Sequence, residues 1–106
     1  AQKLSSLRSE QRMVFLDFTA DWCITCKVNE AIALDRDKVK KVLDEKNIIY
    51  LKADWTRKDP EIASMLASYG RTGVPLYLLF PSQGDPIILP ELLTEDLLLD
   101  FLEEIN

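Results

Sequence analysis

An apolar run that ends in two closely spaced cysteines constrains this chain more than any other feature. Residues 13–26 read MVFLDFTADWCITC, and Cys23 and Cys26 are the only cysteines present. The stretch Met13 to Thr19 is mostly apolar and rich in strand formers, the pattern of a strand covered on both faces. Asp21 can cap a helix just before the cysteines. On that reading both cysteines sit at the start of a helix that follows a central strand.

Such a pair can be a structural staple, half of a metal site, or a reagent used on other proteins. A disulfide that closes so small a loop restricts the unfolded chain little, because the entropic gain grows with loop length. A zinc site needs two further good ligands, and the chain has no His and no third Cys. The reagent reading has a positive argument. Unpaired N–H groups and the helix dipole favour negative charge at a helix start, so a thiolate there is stabilised below the ~8.5 pKa of a free cysteine. Thiolates are the species that attack disulfides. Cys23 is expected to be the more exposed, attacking sulfur, and Cys26 the shielded sulfur that resolves the mixed disulfide. A C-x-x-C beside a strand–helix unit is a specific signal for this chemistry.

Two acids stand out near the pair. Asp17 interrupts the apolar run, and burying a carboxylate in a central strand is costly unless its pKa rises; the alternative is a register that turns Asp17 to solvent. Glu30 follows Cys26 by four residues and so shares its helix face, either as a partner of the thiol or as an ordinary polar helix residue. Cys26 must lose a proton before it can resolve a mixed disulfide, and a carboxylate close to it can accept that proton. Two acids close together would titrate as a coupled pair.

The remaining chain is expected to supply an α/β scaffold. Its 106 residues suit one domain, and 47% apolar content supports a core without metals or staples. A net charge of -5 argues against nucleic acid as a partner, and KVKK at 38–41 reads as a solvated helix face. No run approaches the roughly 18 apolar residues of a membrane span, so no direct membrane insertion is expected, and no signal peptide is recognisable. Leu4, Leu7 and Gln11 carry a weak helical pattern. The cysteine helix is expected to pause near Leu34, with Asp35 capping a second segment that aligns Val39, Val42 and Leu43. IIYLKADW (48–55) reads as a strand. Asp59 and Pro60 open a helix carrying Ile62, Met65, Leu66 and Tyr69, which Gly70 ends. PLYLLF (75–80) and residues 87–89 read as a hairpin around PSQGDP, and Thr94 caps a last helix whose Glu103 and Glu104 face solvent. Helix–strand alternation followed by a hairpin implies a mixed sheet of about four strands with helices on both faces.

Pro75 precedes a strand, a tolerated position; nothing in the sequence itself marks Val74–Pro75 as cis. Trp22 either shields the thiols or fills space, and Trp55 and Tyr77 read as core or rim residues.

Taken together, FLDFTADWCITCK and GVPLYLLF resemble the thioredoxin superfamily. With Glu30, LKADWT, RTGVPLYLLF and LPELLT, the closer resemblance is to the C-terminal thioredoxin-like domain of DsbD-type thiol:disulfide interchange proteins, though the first strand of the full fold looks short or missing. The resemblance implies a thiol–disulfide oxidoreductase that uses no cofactor beyond its redox-active pair. Cys23 would be the nucleophile, Cys26 the resolving cysteine, Asp17 the superfamily's buried acid and Glu30 a second acid. Pro75 would be a cis-proline facing the disulfide, with Val74 and Trp22 beside it in partner binding. It also implies a monomeric periplasmic domain cut from a larger membrane protein, taking electrons from a membrane-embedded domain and passing them to a periplasmic one. A free-standing cytoplasmic thioredoxin, an isomerase, and a non-catalytic binding module with a structural disulfide are the alternatives. Ile24 and Thr25 replace the Gly-Pro of typical thioredoxins, and Leu76 stands where many relatives have Thr, so neither reduction potential nor direction of electron flow carries over.

Overall fold

The apolar run forms β1 (Val14–Thr19), a central strand buried along its whole length, in a computed structural model that describes residues 2–106. β2 (Ile49–Asp54) lies parallel to it on one side, and β3 (Leu76–Phe80) antiparallel on the other. β4 (Ile87–Ile88) pairs antiparallel with β3, giving the order β2-β1-β3-β4. This is the mixed four-stranded sheet expected, with a shorter last strand: Leu89 has left the ladder, although its N–H still donates to the Tyr77 carbonyl at 3.0 Å.

Side chains alternate across a strand, and β1 divides the core accordingly. Val14, Leu16 and Phe18 join Leu66, Leu76, Leu78 and Phe80, packed by Leu4 and Leu7 of α1 (Gln2–Ser9) and Ile62 of α4 (Pro60–Ser68). Phe15 faces the other way, with Tyr77 and Leu79. There it meets Val39 and Leu43 of α3 (Asp37–Glu45) and Leu98 and Leu102 of α5 (Glu95–Glu104). Each fully buried leucine contributes about 1.5–3 kcal/mol relative to exposure. Asp17 and Thr19 share the face of Phe15 by the same alternation.

The cysteine helix, α2 (Ile24–Asn29), runs directly into a π-helical stretch, Glu30–Leu34. That stretch corrects one expected cap. The Asp35 N–H closes the wider turn on the Glu30 carbonyl at 2.8 Å, so Asp35 belongs to the end of one helix and Arg36 takes the cap position of α3. Gln11 likewise falls outside the helix its pattern suggested, at φ 58. Other boundaries follow the sequence. The Asp59 carboxylate accepts the N–H groups of Glu61 and Ile62, with Pro60 at the first helical position. Thr94 accepts the Leu97 N–H at 3.1 Å. Gly70 leaves α4 at φ 74, where a side chain would be strained.

Candidate active site

Cys23 and Cys26 are joined in a disulfide at the start of α2. The helix is capped by Cys23 itself, with extended backbone at φ -88 and ψ 104. Its Sγ accepts the Cys26 N–H at 3.1 Å, so a backbone donor points at this sulfur. Asp21, the expected cap, lies too early in the chain. It is exposed, and its N–H donates to Thr56 Oγ1 in the loop after β2 at 2.9 Å. Cys23 is 7% exposed and Cys26 1%, the expected order of access.

The surroundings of the pair are apolar and open. Ala20 and Val74 pack on the two cysteines, and the Val74–Pro75 peptide bond is cis. Ile24, beside Cys23, is 81% exposed, and Val28 is exposed one turn on. Trp22 is about half exposed and held in place: its Nε1–H donates to the Thr56 carbonyl at 3.0 Å, and its ring lies 6.0 Å from that of Trp55. The Lys58 ammonium sits 5.5 Å from the Trp22 ring and 5.8 Å from the Trp55 ring. Trp55 is buried and belongs to the core. A cleft of about 390 Å³ between α1, β2 and α4 is lined by Leu4, Leu16, Leu51 and Ile62 among others, not by the cysteines. The pair instead lies next to exposed apolar surface formed by Trp22, Ile24 and Val28.

Asp17 is fully buried, on the sheet face covered by the π stretch, α3 and α5. The solvent-facing register is thereby excluded. Tyr50 donates its hydroxyl to Asp17 Oδ2, while Oδ1 is buried without a hydrogen-bond partner among the described residues. Burial pushes the Asp17 pKa up to about 6, helped by the charges of Glu30 and Asp35 and opposed by the Tyr50 hydrogen bond and Lys52. Burial together with the Asp17 charge pushes Tyr50 well above the ordinary phenol range, so Tyr50 is a standing donor.

Glu30 begins the π stretch, with its N–H on the Cys26 carbonyl. Its side chain turns inward: Thr19 at the end of β1 donates to Oε2 at 3.3 Å, and the Lys27 ammonium lies 3.8 Å from Oε1. Glu30 and Asp17 thus lie close enough for the Glu30 charge to help raise the Asp17 pKa. In the oxidised pair the hydrogen bonds of both acids go to Tyr50 and Thr19, not to a sulfur.

Three members of this site escaped the sequence reading. Asn29 is buried three residues after Cys26, donating to the Tyr77 hydroxyl at 2.9 Å and the Glu91 carbonyl at 2.7 Å and accepting the Leu93 N–H at 3.1 Å. An Asn on the inward face of a helix beside a C-x-x-C was the available signal. Tyr50 and Thr19 gave none, because their contacts depend on strand register and helix placement. Among the described residues, no three His, Cys, Asp or Glu side chains gather to hold a metal.

Comparison with known proteins places this geometry. A family model described as Thioredoxin-like matches residues 1–82. The thiol:disulfide interchange protein DsbD of Yersinia pestis (strain Pestoides F) is 38% identical over 80 residues, 76% of this chain. The chain spans only 13% of that relative's length. The Neisseria meningitidis DsbD C-terminal domain, in its oxidised form, superposes with a TM-score of 0.78 at 30% identity, covering 96% of this chain and 88% of that domain. A thioredoxin from Thermus thermophilus has the same TM-score of 0.78 at 17% identity, covering 97% of this chain and 80% of its own, and shares the fold.

Proposed function

The chain belongs to the thioredoxin-like family, and from that premise we propose that it performs thiol–disulfide exchange through Cys23 and Cys26 as an electron relay between protein partners. One observation carries the reading: a disulfide at a helix start whose less buried sulfur caps the helix and receives the Cys26 N–H, with Glu30 four residues after Cys26 and Asp17 within reach of the Glu30 charge.

The reduced pair works in two steps. The Cys23 thiolate attacks one sulfur of a partner disulfide; the new S–S bond joins Cys23 to the partner, and the partner's other sulfur leaves as a thiolate and takes a proton. The Cys26 thiol then gives its proton to a carboxylate of the Asp17–Glu30 pair and attacks Cys23 Sγ. The Cys23–Cys26 bond forms, the mixed disulfide breaks, and the partner departs as a dithiol. Two electrons have moved from the pair to the partner, and a donor dithiol reverses the sequence to recharge it. Trp22, Val74 and Pro75 line the approach to Cys23 and hold the partner segment.

The donor is a membrane-embedded redox domain and the acceptor a periplasmic thiol–disulfide domain, with residues 1–106 forming one thioredoxin-like domain of a larger inner-membrane protein. The DsbD relationship supports this assignment. In Cys26→Ser protein, Cys23 is expected to accumulate as a mixed disulfide with an oxidised acceptor domain, resolved only by added dithiol. If Cys23 forms no adduct with any protein disulfide and alkylates no faster than a free thiol, the relay is overturned.

A further inference from the structure

We propose that Tyr50 is the positioning residue for Asp17: its hydroxyl fixes the carboxyl and sets the pH at which that acid exchanges its proton. The inference rests on the reading of Asp17 as a proton acceptor for Cys26 and extends it to a residue on a different strand.

The Asp17 carboxyl has two oxygens inside the protein and few donors to meet them. Oδ2 receives the Tyr50 hydroxyl, and Oδ1 has no hydrogen-bond partner among the described residues. Tyr50 therefore supplies the one side-chain hydrogen bond to this acid among the described residues, and a bond from a neutral donor to an ionised acceptor strengthens as charge appears on the acceptor. It also decides where the acid's own proton resides. Because Tyr50 keeps its proton and donates to Oδ2, a protonated Asp17 carries its hydrogen on Oδ1. The tyrosine is itself fixed. It lies opposite Phe15 in the β1–β2 register, with the two ring centroids 5.6 Å apart.

The other charges around Asp17 come from every element packed on it. Lys52 lies opposite on β2, Tyr77 opposite on β3, and Glu30 and Asp35 belong to the π stretch and its end. All of them remain when only the Tyr50 hydroxyl is removed, and the ring of Phe keeps the packing against Phe15.

The test uses the full chain with Tyr50→Phe, Asp17→Asn and the double variant, oxidised for the carboxyl titration and with free Cys26 for alkylation. The midpoint of the Asp17 carboxyl-carbon NMR titration is expected to move from about 6 in the parent upward by about one pH unit in Tyr50→Phe, the size of a hydrogen bond to a charged group. An unmoved midpoint overturns the proposal. The pH profile of Cys26 alkylation, in a Cys23→Ser background, is expected to follow that midpoint in Tyr50→Phe and to ignore Tyr50→Phe once Asn stands at 17. A Tyr50 effect that persists in the double variant overturns action through Asp17. If the carboxyl midpoint moves while neither single variant alters the Cys26 profile, the Tyr50–Asp17 coupling stands and the role of Asp17 toward Cys26 falls.

Discussion

The Asn29 amide, within one turn of Cys26, reaches the Tyr77 hydroxyl of β3 at 2.9 Å and so ties the cysteine helix to the sheet beneath it. The same side chain also holds the Glu91 carbonyl and the Leu93 N–H, which engages its nitrogen and its oxygen and joins three parts of the fold. Asn29→Ala takes the partner from the buried Leu93 N–H, the Glu91 carbonyl and the Tyr77 hydroxyl, at about 1–3 kcal/mol for each buried group left unpaired. A loss of at least about 2 kcal/mol in urea unfolding is expected. Tyr77→Phe, which removes one of three bonds, is expected to cost less. A loss for Asn29→Ala no larger than the ~0.5 kcal/mol of an ordinary surface change would remove Asn29 from the framework.

Asp17 makes the fold pH-sensitive in a direction opposite to most carboxylates. Its ordinary pKa of 3.8 becomes about 6 in the folded chain, so between those values the folded state binds the extra proton. Stability from this group is therefore greatest in acid and falls as pH rises toward 6, by about 3 kcal/mol over the whole span. Asp17→Asn removes the titration. Its stability relative to the parent is expected to rise between about pH 3.5 and about pH 7.5 by up to that amount, measured by urea unfolding at both pH values. A difference that stays flat or reverses would show that Asp17 is not the titrating group.

Trp22 is expected to matter for large substrates and not for small ones. Its ring is held beside Cys23 by the Thr56 carbonyl and Trp55, and exposed aromatics of this kind dominate contact energies when a partner covers them. Trp22→Ala is expected to slow reduction of a protein disulfide by about tenfold or more while leaving the rate with a small aromatic disulfide nearly unchanged. Equal slowing of both would assign Trp22 to the framework of the site.

What could be read from the sequence follows from how local each determinant is. β1 was legible because an unbroken apolar run needs cover on both faces, and the Asp59–Pro60 and Thr94 helix starts because each cap lies within three residues of the N–H it receives. The cap at Cys23 was not, since choosing it over Asp21 depends on a turn anchored to Thr56, far along the chain. The π stretch was equally hidden: its Asp35–Glu30 closure depends on how the helix packs, and it displaced the expected cap to Arg36. The acids were visible as anomalies of type and spacing. Their partners were not, because Tyr50 meets Asp17 only through the parallel register of β1 and β2.

Glu30 offers a shift of opposite sign to that of Tyr50. Its charge raises the Asp17 pKa, so Glu30→Gln removes repulsion and lets Asp17 ionise below about 6. The Gln carbonyl can still accept the Thr19 hydroxyl, and the lost pairing with exposed Lys27 costs about 0.5 kcal/mol or less, so the fold is expected to survive. The acidic limb of the Cys26 alkylation profile is then expected to move to lower pH in Glu30→Gln and to higher pH in Tyr50→Phe. Opposed displacements from two residues on different elements identify one shared target between them, because a general loosening of the site would move both profiles the same way. Displacement in the same direction, or none with Glu30→Gln, would separate Glu30 from the acid that serves Cys26.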